Sequence, residues 1–391
     1  SDEERQRLRG GKRMKTYAVL HNPIHQRIYR EAATRMAVNE LTAAEDATNK
    51  RNPREKNVGG VSYILFDCDT PLTEDGIKRL SRLSFAYALY EYEEGKEGAS
   101  EYEKMKEGAS EYEEGKEGAS GRLIPLDRNP DYLLDEGLSS MLKYTGKTNE
   151  LFTRLMLNLA SQLMLNLNTS PNGILQPLRV LDPLAGKGTT LYEALLPGHH
   201  AYGVEIDAKY PAEADQYLKK FLELARFKHT SHKEKVGGQT ADGKKFSAVR
   251  YQIALARDKD AQKSGDVRQF EMINGDTRHI GYFYKKGFFD IIIADLPYGV
   301  QHSSKDNKKT QSGFTRNAMG LLKEALPIWL KVLKPGGVIA LSWNLFLITR
   351  KEMDELFAAH GLAVPESVAS LDFTHRVDQA IERDVIVGRY K

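Results

Sequence analysis

Arg179-Val180-Leu181-Asp182-Pro183-Leu184-Ala185-Gly186-Lys187-Gly188-Thr189-Thr190 reads as a short apolar strand, a glycine turn and the start of a helix. Gly186 and Gly188 permit a tight turn and a close approach of a ligand to the backbone. Thr189 and Thr190 open a helix whose first N–H groups lack intrahelical partners and face that ligand. The stretch is not a P-loop: Gly186-Lys187 is followed by Gly188, and no glycine stands five residues before Gly186. The third glycine of a dinucleotide fingerprint is also missing, since Leu191 occupies its place. Taken alone, such a turn is more often structural than functional.

The surrounding pattern places the turn in a larger sheet. After an amphipathic helix over Thr148 to Leu167, strands are predicted at Arg179–Leu181, Ala201–Glu205, Phe270–Asn274, Phe289–Ala294 and Gly337–Trp343. Helices are predicted at Thr189–Leu195, Pro211–Arg226, Arg316–Leu333 and Arg350–His360. This alternation predicts an α/β fold with a doubly wound, mostly parallel sheet of seven strands. Two consecutive strands in the tail Glu366 to Tyr390 predict an antiparallel hairpin at its edge. Residues 229–269 read as a polar insertion with little periodicity.

Acids recur at the strand ends. Glu205 follows the second strand, 19 residues past Gly186, the position from which a carboxylate accepts both hydroxyls of a ribose. Asp207 is a second acid there, or a helix N-cap. The third strand ends at Asn274-Gly275-Asp276-Thr277, where Asp276 can accept from an adenine amino group or simply mark a turn. The fourth strand ends at Asp295-Leu296-Pro297-Tyr298, followed by Gly299. A carboxylate, a carbonyl and an aromatic ring are therefore offered at the edge where open α/β sheets bind ligands. Acids around a ligand suit a cationic cofactor better than a pyrophosphate, which needs Lys or Arg.

Composition narrows the class. The chain has 391 residues, 40% of them apolar, enough for two domains with a sizeable core. No run of 18 apolar residues occurs, so neither a membrane span nor a membrane partner is expected, and Ser1 to Arg7 carries no signal-peptide core. Cys68 is the one cysteine, which excludes an internal disulfide and fits a reducing, cytoplasmic location. The net charge of +3 conceals a strongly acidic segment, 91–120; the remainder is distinctly basic, as suits a polyanionic partner or an ordinary solvated surface.

Residues 91–120 are three tandem decamers rich in Glu, Gly and Ser, in which only Tyr recurs among large apolar residues. They read as a low-complexity tether. They interrupt a small N-terminal α/β unit, 14–127, with strands at Thr16–Leu20, Gly60–Phe66 and Gly121–Leu126. Helices are expected there over Ile24–Leu41 and Thr73–Tyr92, the latter capped by Thr73. This unit shows no motif chemistry and is a candidate RNA-docking domain. The second domain is expected over 133–391.

The ordered set Asp182-Pro-Leu-Ala-Gly-Lys-Gly-Thr-Thr190, Glu205, Asp276 and Asp295-Leu-Pro-Tyr298 resembles the class I S-adenosylmethionine-dependent methyltransferases in their amino-methylating branch. Leu296 and Gly299, the helix around Phe152-Thr-Arg-Leu-Met, and the tail Thr374 to Gln379 with Arg383-Asp384 are similar to the guanosine-N2 RNA methyltransferases related to the THUMP-containing and Trm-eleven-like tRNA enzymes. Residues 14–127 do not match a THUMP domain. The resemblance implies S-adenosyl-L-methionine as cofactor, held by Asp182, Pro183, Ala185, Gly186, Gly188, Thr189, Thr190, Glu205, Asp207, Asp276 and Thr277. It implies Asp295, Leu296, Pro297 and Tyr298 as catalytic residues, no metal, and RNA, above all tRNA, as partner. It also allows a small activating protein subunit.

An aromatic amino group is a poor nucleophile, because its lone pair is delocalised into the ring. Asp295 and the Leu296 carbonyl can each accept one N–H, Pro297 fixes the turn, and Tyr298 can stack on a flipped base. Lys305, Lys308 and Lys309, in the loop Gln301 to Gly313, are offered either to phosphates or to solvent. His302 is read as structural or substrate-positioning rather than as a general base, and His375 and Arg376 as hairpin surface in preference to groups pointing toward the same mouth. Two alternatives stay open: a DNA adenine-N6 or cytosine-N4 methyltransferase, and a non-catalytic RNA-binding protein on the same scaffold.

Overall fold

The computed structural model describes residues 14–22, 27–44, 50–94, 121–141, 147–165, 177–240, 242–298 and 318–391. They divide into two units, one comprising 1–25 and 44–130, the other 26–43 and 131–391.

The first unit is a five-stranded antiparallel sheet in the order β2-β3-β1-β4-β5, formed by β1 Lys15–His21, β2 Lys50–Val58, β3 Val61–Cys68, β4 Ala86–Glu94 and β5 Gly121–Leu126. β2 was not expected from the sequence. It is an edge strand, so it needs no apolar alternation, and it tolerates Pro53 where the register slips between Arg51 and Arg54. Gly59 and Gly60, at φ 60° and 84°, make the two-residue turn into β3. The helix expected over Thr73–Tyr92 is shorter: it spans Glu74–Ser81, with the Thr73 hydroxyl accepting the Gly76 N–H at 3.1 Å. The chain then becomes β4, because pairing with β1 and β5 satisfies its backbone and buries Ala86, Leu89 and Tyr92. β4 takes in 91–94 of the first decamer, and the rest of the repeat lies outside the described residues.

The helix Arg27–Ala43, expected in the N-terminal unit, belongs to the second one. There Asn39 reaches the Asp372 carbonyl at 2.6 Å and Glu40 accepts from Asn158 at 2.7 Å.

The second unit carries β6 Arg179–Asp182, β7 His200–Glu205, β8 Lys228–Gln239, β9 Lys245–Ala256, β10 Arg268–Asn274, β11 Phe289–Asp295, β12 Leu333–Asn344, β13 Leu362–Ala363, β14 His375–Asp378 and β15 Ile381–Tyr390. Among the described residues the sheet has ten strands, not seven, in the order β13-β15-β12-β11-β6-β7-β10-β9-β8, with β14 on β15. β6, β7, β10, β11 and β12 are parallel, and β14 and β15 form the expected antiparallel hairpin.

The segment read as a polar insertion with little periodicity is a long antiparallel hairpin, β8 and β9, followed by the helix Lys259–Ser264. Its polarity hid it: β8 is exposed along most of its length and has no face to bury.

Successive residues of the central strands enter two cores. Val180, Ile291, Ile293, Val338 and Ala340 join the face covered by helices Glu150–Leu165, Thr189–Leu195 and Lys209–Leu224. Leu181, Ile292, Ala294, Ile339 and Leu341 join the face covered by Ala318–Val332 and Arg350–Ala359. This two-sided burial is why β11 reads as an unbroken apolar run. Each large side chain so buried contributes about 1.5–3 kcal/mol. On the first face a buried ion pair joins two helices. Arg154 meets Glu193 at 2.9 Å and Glu136 at 2.5 Å, and Ser139 donates to Glu193.

From β6 the chain winds one way through β7 and β10, then returns to β11 and winds the other way through β12. The order thus reverses between β6 and β11, and Asp182 and Asp295 end these two strands. At such a switch point the connections part and leave a crevice beyond the strand ends.

Candidate active site

Two groups of predicted residues meet along this edge. The first surrounds the glycine turn. Gly186 and Gly188 adopt φ 50° and 92°, left-handed conformations that glycine takes without a Cβ clash. A Cβ on Gly188 would lie 3.3 Å from the Tyr192 ring, whereas one on Gly186 would meet no atom of the described residues within 4 Å. Gly186 therefore faces open space. Its N–H donates to Glu205 Oε2 at 2.8 Å, and the Asp207 N–H donates to Oε1 at 2.8 Å. The carboxylate at the end of β7 is so fixed beside the turn, with lone pairs left for hydroxyl donors. Asp207 accepts the Lys209 N–H at 3.0 Å and so also serves the start of the next helix.

Asp182 is 4% exposed and accepts the Leu184 N–H at 2.9 Å. Burial raises its pKa to about 7, against hydrogen bonds from Thr190 and Leu184, with Asp295 and Glu205 adding like-charge repulsion. Burial likewise raises the Glu205 pKa. Ala185, Thr189 and Thr190 are buried behind the turn, and Pro183 precedes it. Lys187 turns away, 3.2 Å from Glu213 and 5.2 Å from the Tyr210 ring.

Asp276 and Thr277 follow directly on Gly275, whose N–H donates to the Glu205 carbonyl at 2.9 Å. Burial pushes the Asp276 pKa up, but Arg278, on both carboxylate oxygens at 2.6 to 3.1 Å, outweighs it and leaves the net shift downward. The Thr277 hydroxyl accepts from Trp329 Nε1 at 2.8 Å, in the core.

The second group surrounds Asp295. The Thr148 hydroxyl donates to its Oδ2 at 2.7 Å, while the Tyr298 and Ser342 hydroxyls both donate to Oδ1. Arg383 Nη2 stands 3.9 Å from Oδ2. The Leu296 N–H donates to the Ser342 carbonyl at 2.8 Å, which fixes the Asp295–Leu296 peptide. Arg383, only 5% exposed, packs its guanidinium 4.4 Å from the Phe152 ring centroid and 4.9 Å from that of Tyr298. Burial, reinforced by the Asp295 charge, holds the Tyr298 phenol well above its usual pKa, so it stays a donor.

Three residues here, Thr148, Ser342 and Ile206, carried no sequence signal as site members, and Phe152 and Arg383 stood out only through the family resemblance. Thr148, Phe152, Ser342 and Arg383 come from a helix entry and from strands far away along the chain. Ile206 is an apolar side chain 63% exposed between Glu205 and Asp207. An apolar residue left in solvent at a strand end is a signal only once its exposure is known. Arg376 lies on the hairpin surface as expected, bonded to the Asp378 and Gln379 carbonyls. His375 does not: it is 2% exposed, 4.9 Å from Phe152, and burial followed by the Arg383 charge lowers its pKa to about 4. Gly299, His302 and the lysines of 301–313 lie outside the described residues.

No protein-family profile matches the chain, and no curated protein sequence matches it. Among solved structures it is similar to TYW2 of Pyrococcus horikoshii in complex with MeSAdo, at 15% identity and TM-score 0.30, over 55% of this chain and 58% of that one. The likeness thus spans little more than half of that protein. It is also similar to an rRNA methylase of Streptococcus thermophilus, at 10% identity and TM-score 0.30, over 60% and 95% of the two chains. A third is magnesium protoporphyrin IX methyltransferase of Synechocystis PCC 6803 with bound SAM, at 14% identity and TM-score 0.32, over 67% and 94%. Likenesses this low carry no inference about cofactor or substrate, which rest on the geometry above.

Proposed function

We propose that the chain transfers a methyl group from S-adenosylmethionine to an exocyclic amino group of a nucleobase in RNA, with guanosine N2 in tRNA as the first choice and a cytosolic location. One observation carries this reading: the Asp295-Leu296-Pro297-Tyr298 turn lies across the sheet's switch point from the Gly186 turn, with Glu205 locked beside it.

The residues around the turn fit the cofactor. Gly186 leaves space for close backbone approach, Glu205 retains acceptor capacity for two ribose hydroxyls, and Ile206 offers an exposed apolar surface for an adenine. Two acids with upward-shifted pKa values, Asp182 and Glu205, favour a positively charged ligand, which would relieve their mutual repulsion. When bound, S-adenosylmethionine supplies an electrophilic methyl on a cationic sulfur.

The chain's own groups handle the amino nitrogen. Asp295 and the Leu296 carbonyl each accept one N–H, which favours a pyramidal nitrogen with its lone pair directed at the methyl. Asp295 Oδ1 already accepts two hydroxyl donors. An incoming amino group replaces the Tyr298 hydroxyl there, so the half-buried carboxylate exchanges one hydrogen bond for another instead of losing one. The Tyr298 ring, released from Asp295, is then available to stack on the base. As the N–C bond forms the nitrogen loses one proton, which Asp295 can hold before it passes to water.

Incubation of the purified protein with labelled S-adenosylmethionine and bulk tRNA, followed by nucleoside mass spectrometry, tests the reading. N2-methylguanosine is expected. Methylated adenine or cytosine in DNA, with unmodified RNA, would favour a DNA enzyme. Absence of any affinity for S-adenosylmethionine would favour the non-catalytic scaffold.

A further inference from the structure

The β8–β9 hairpin sorts its charges by face. Residues directly opposite in an antiparallel pair share a face, and alternate residues change face. Tyr251, Ile253 and Leu255 lie on the face shared with helix Lys209–Leu224, where Ile253 and Leu255 are fully buried. Their face on β8 carries His229, Lys233 and Lys235, and on β9 it continues to Lys245. No Asp or Glu of either strand lies on it. The opposite face holds Glu234, together with Glu271 of the adjacent β10, and Arg250 meets these at 2.9 and 3.3 Å. The acidic side chains are thus neutralised on one side while Lys233, Lys235 and Lys245 stand exposed on the other.

The hairpin also overreaches the sheet. The last pair between β9 and β10 is Val249 with Asn274, so Lys245 to Ala248 and their partners Val236 to Gln239 continue past the C-terminal end of β10. Four residues of strand extend about 13 Å. They project beyond the same edge that carries Glu205, Asp276 and Asp295. The overhang is braced: Phe246 stacks on His279 at 5.4 Å and packs against Tyr282 at 5.2 Å and Phe283 at 5.8 Å. Gly238 makes this fit, since a Cβ there would lie 2.7 Å from the Phe246 ring. The bracing uses the face bearing Glu234 and leaves Lys245 exposed on the opposite face of the overhang. Across the sheet, β8 is five strands from β11, roughly 24 Å at ordinary strand spacing.

We propose that the ribbon face bearing Lys233, Lys235 and Lys245 binds the phosphate backbone of the substrate RNA, flanking the nucleotide presented to Asp295. The inference rests on the RNA reading above. A strip of like charge with no acid from either strand on it, level with the reacting edge, suits a phosphodiester strand, which contributes position rather than sequence. Lys233 and Lys235 are two residues apart on one strand, about 7 Å. Lys233 is also held over the Tyr251 ring at 5.0 Å, which limits its freedom without neutralising it.

The test uses the full chain with Lys233→Gln, Lys235→Gln and Lys245→Gln combined, bulk tRNA as the probe, and fluorescence anisotropy across a salt series. The expected result is affinity at least tenfold weaker at about 0.1 M salt, and a slope of log affinity against log salt lowered by about 2 to 3. Melting temperature and S-adenosylmethionine affinity should stay unchanged. A control with Lys285→Gln, Lys286→Gln and Lys351→Gln removes equal charge elsewhere and should bind as the wild type does. Wild-type affinity and slope in the ribbon variant, or an equal loss in the control, would overturn the proposal. If the wild type binds tRNA through the ribbon yet methylates no RNA, the activity reading fails and the surface stands. If it binds acidic phospholipid vesicles and no tRNA, both fall.

Discussion

The Arg383 guanidinium lies 4.9 Å from the Tyr298 ring centroid, while its Nη2 lies 3.9 Å from Asp295 Oδ2. One buried cation from the last strand therefore holds two members of a turn that precedes it by more than eighty residues. Its plane suits a ring face in a way a lysine ammonium does not. Arg383→Lys is expected to lower kcat about tenfold, and Arg383→Met about a hundredfold, through misplacement of Asp295 and Tyr298. S-adenosylmethionine affinity, measured by calorimetry, should change little. Wild-type turnover in both variants would reduce Arg383 to a packing residue.

Asp295 accepts from Thr148, Ser342 and Tyr298. Asp295→Ala is expected to lower kcat by at least about 10²–10³, with cofactor affinity within threefold of wild type. Tyr298→Phe keeps the ring and removes one donor, so it should cost much less than Tyr298→Ala. Single-turnover methylation of tRNA separates these cases, and equal losses in the two Tyr298 variants would argue against a stacking role.

Asp182 supplies a pH signature. Its pKa, raised to about 7 by burial, means that the folded chain holds a proton the unfolded chain releases near pH 4. Its contribution to stability is therefore greatest below about pH 4 and is lost as pH rises toward 7. A cationic ligand stabilises the ionised form, so its binding below pH 7 should expel a proton. Affinity for S-adenosylmethionine should then rise with pH and level off above about 7. Calorimetry at pH 6 in two buffers of different ionisation enthalpy measures the released proton, and identical heats would refute the linkage.

Gly186 and Gly188 separate binding from folding. Both have positive φ, so alanine at either costs about 1–2 kcal/mol of backbone strain. Gly188→Ala adds a contact with Tyr192 at 3.3 Å, whereas Gly186→Ala meets no atom of the described residues within 4 Å. Gly186→Ala should thus melt only slightly lower than wild type yet lose at least tenfold in cofactor affinity. Gly188→Ala should show the larger drop in melting temperature.

Much of the second unit was legible because its strands are buried on both faces and its turns need glycine. β6, β7, β10 and β11 stand within two residues of their expected bounds, and the helix Thr189–Leu195 matches outright. Legibility failed where burial was one-sided or absent. β2 and β8 are exposed strands held by backbone pairing, and backbone hydrogen bonds leave no mark in side-chain pattern. β4 continued a helical pattern until its pairing with β1 decided otherwise.

The sequence by itself determined the order of strand-end acids: Asp182, Glu205, Asp276, Asp295, each following an apolar run. Hydrophobic periodicity and glycine conformation are local properties, so composition and spacing sufficed. The tertiary structure decided which side chains surround those acids. Thr148, Ser342 and Arg383 reach Asp295 from segments up to 147 residues away, and Arg278 claims Asp276. Such contacts depend on strand order and register, which is set by how two buried faces pack.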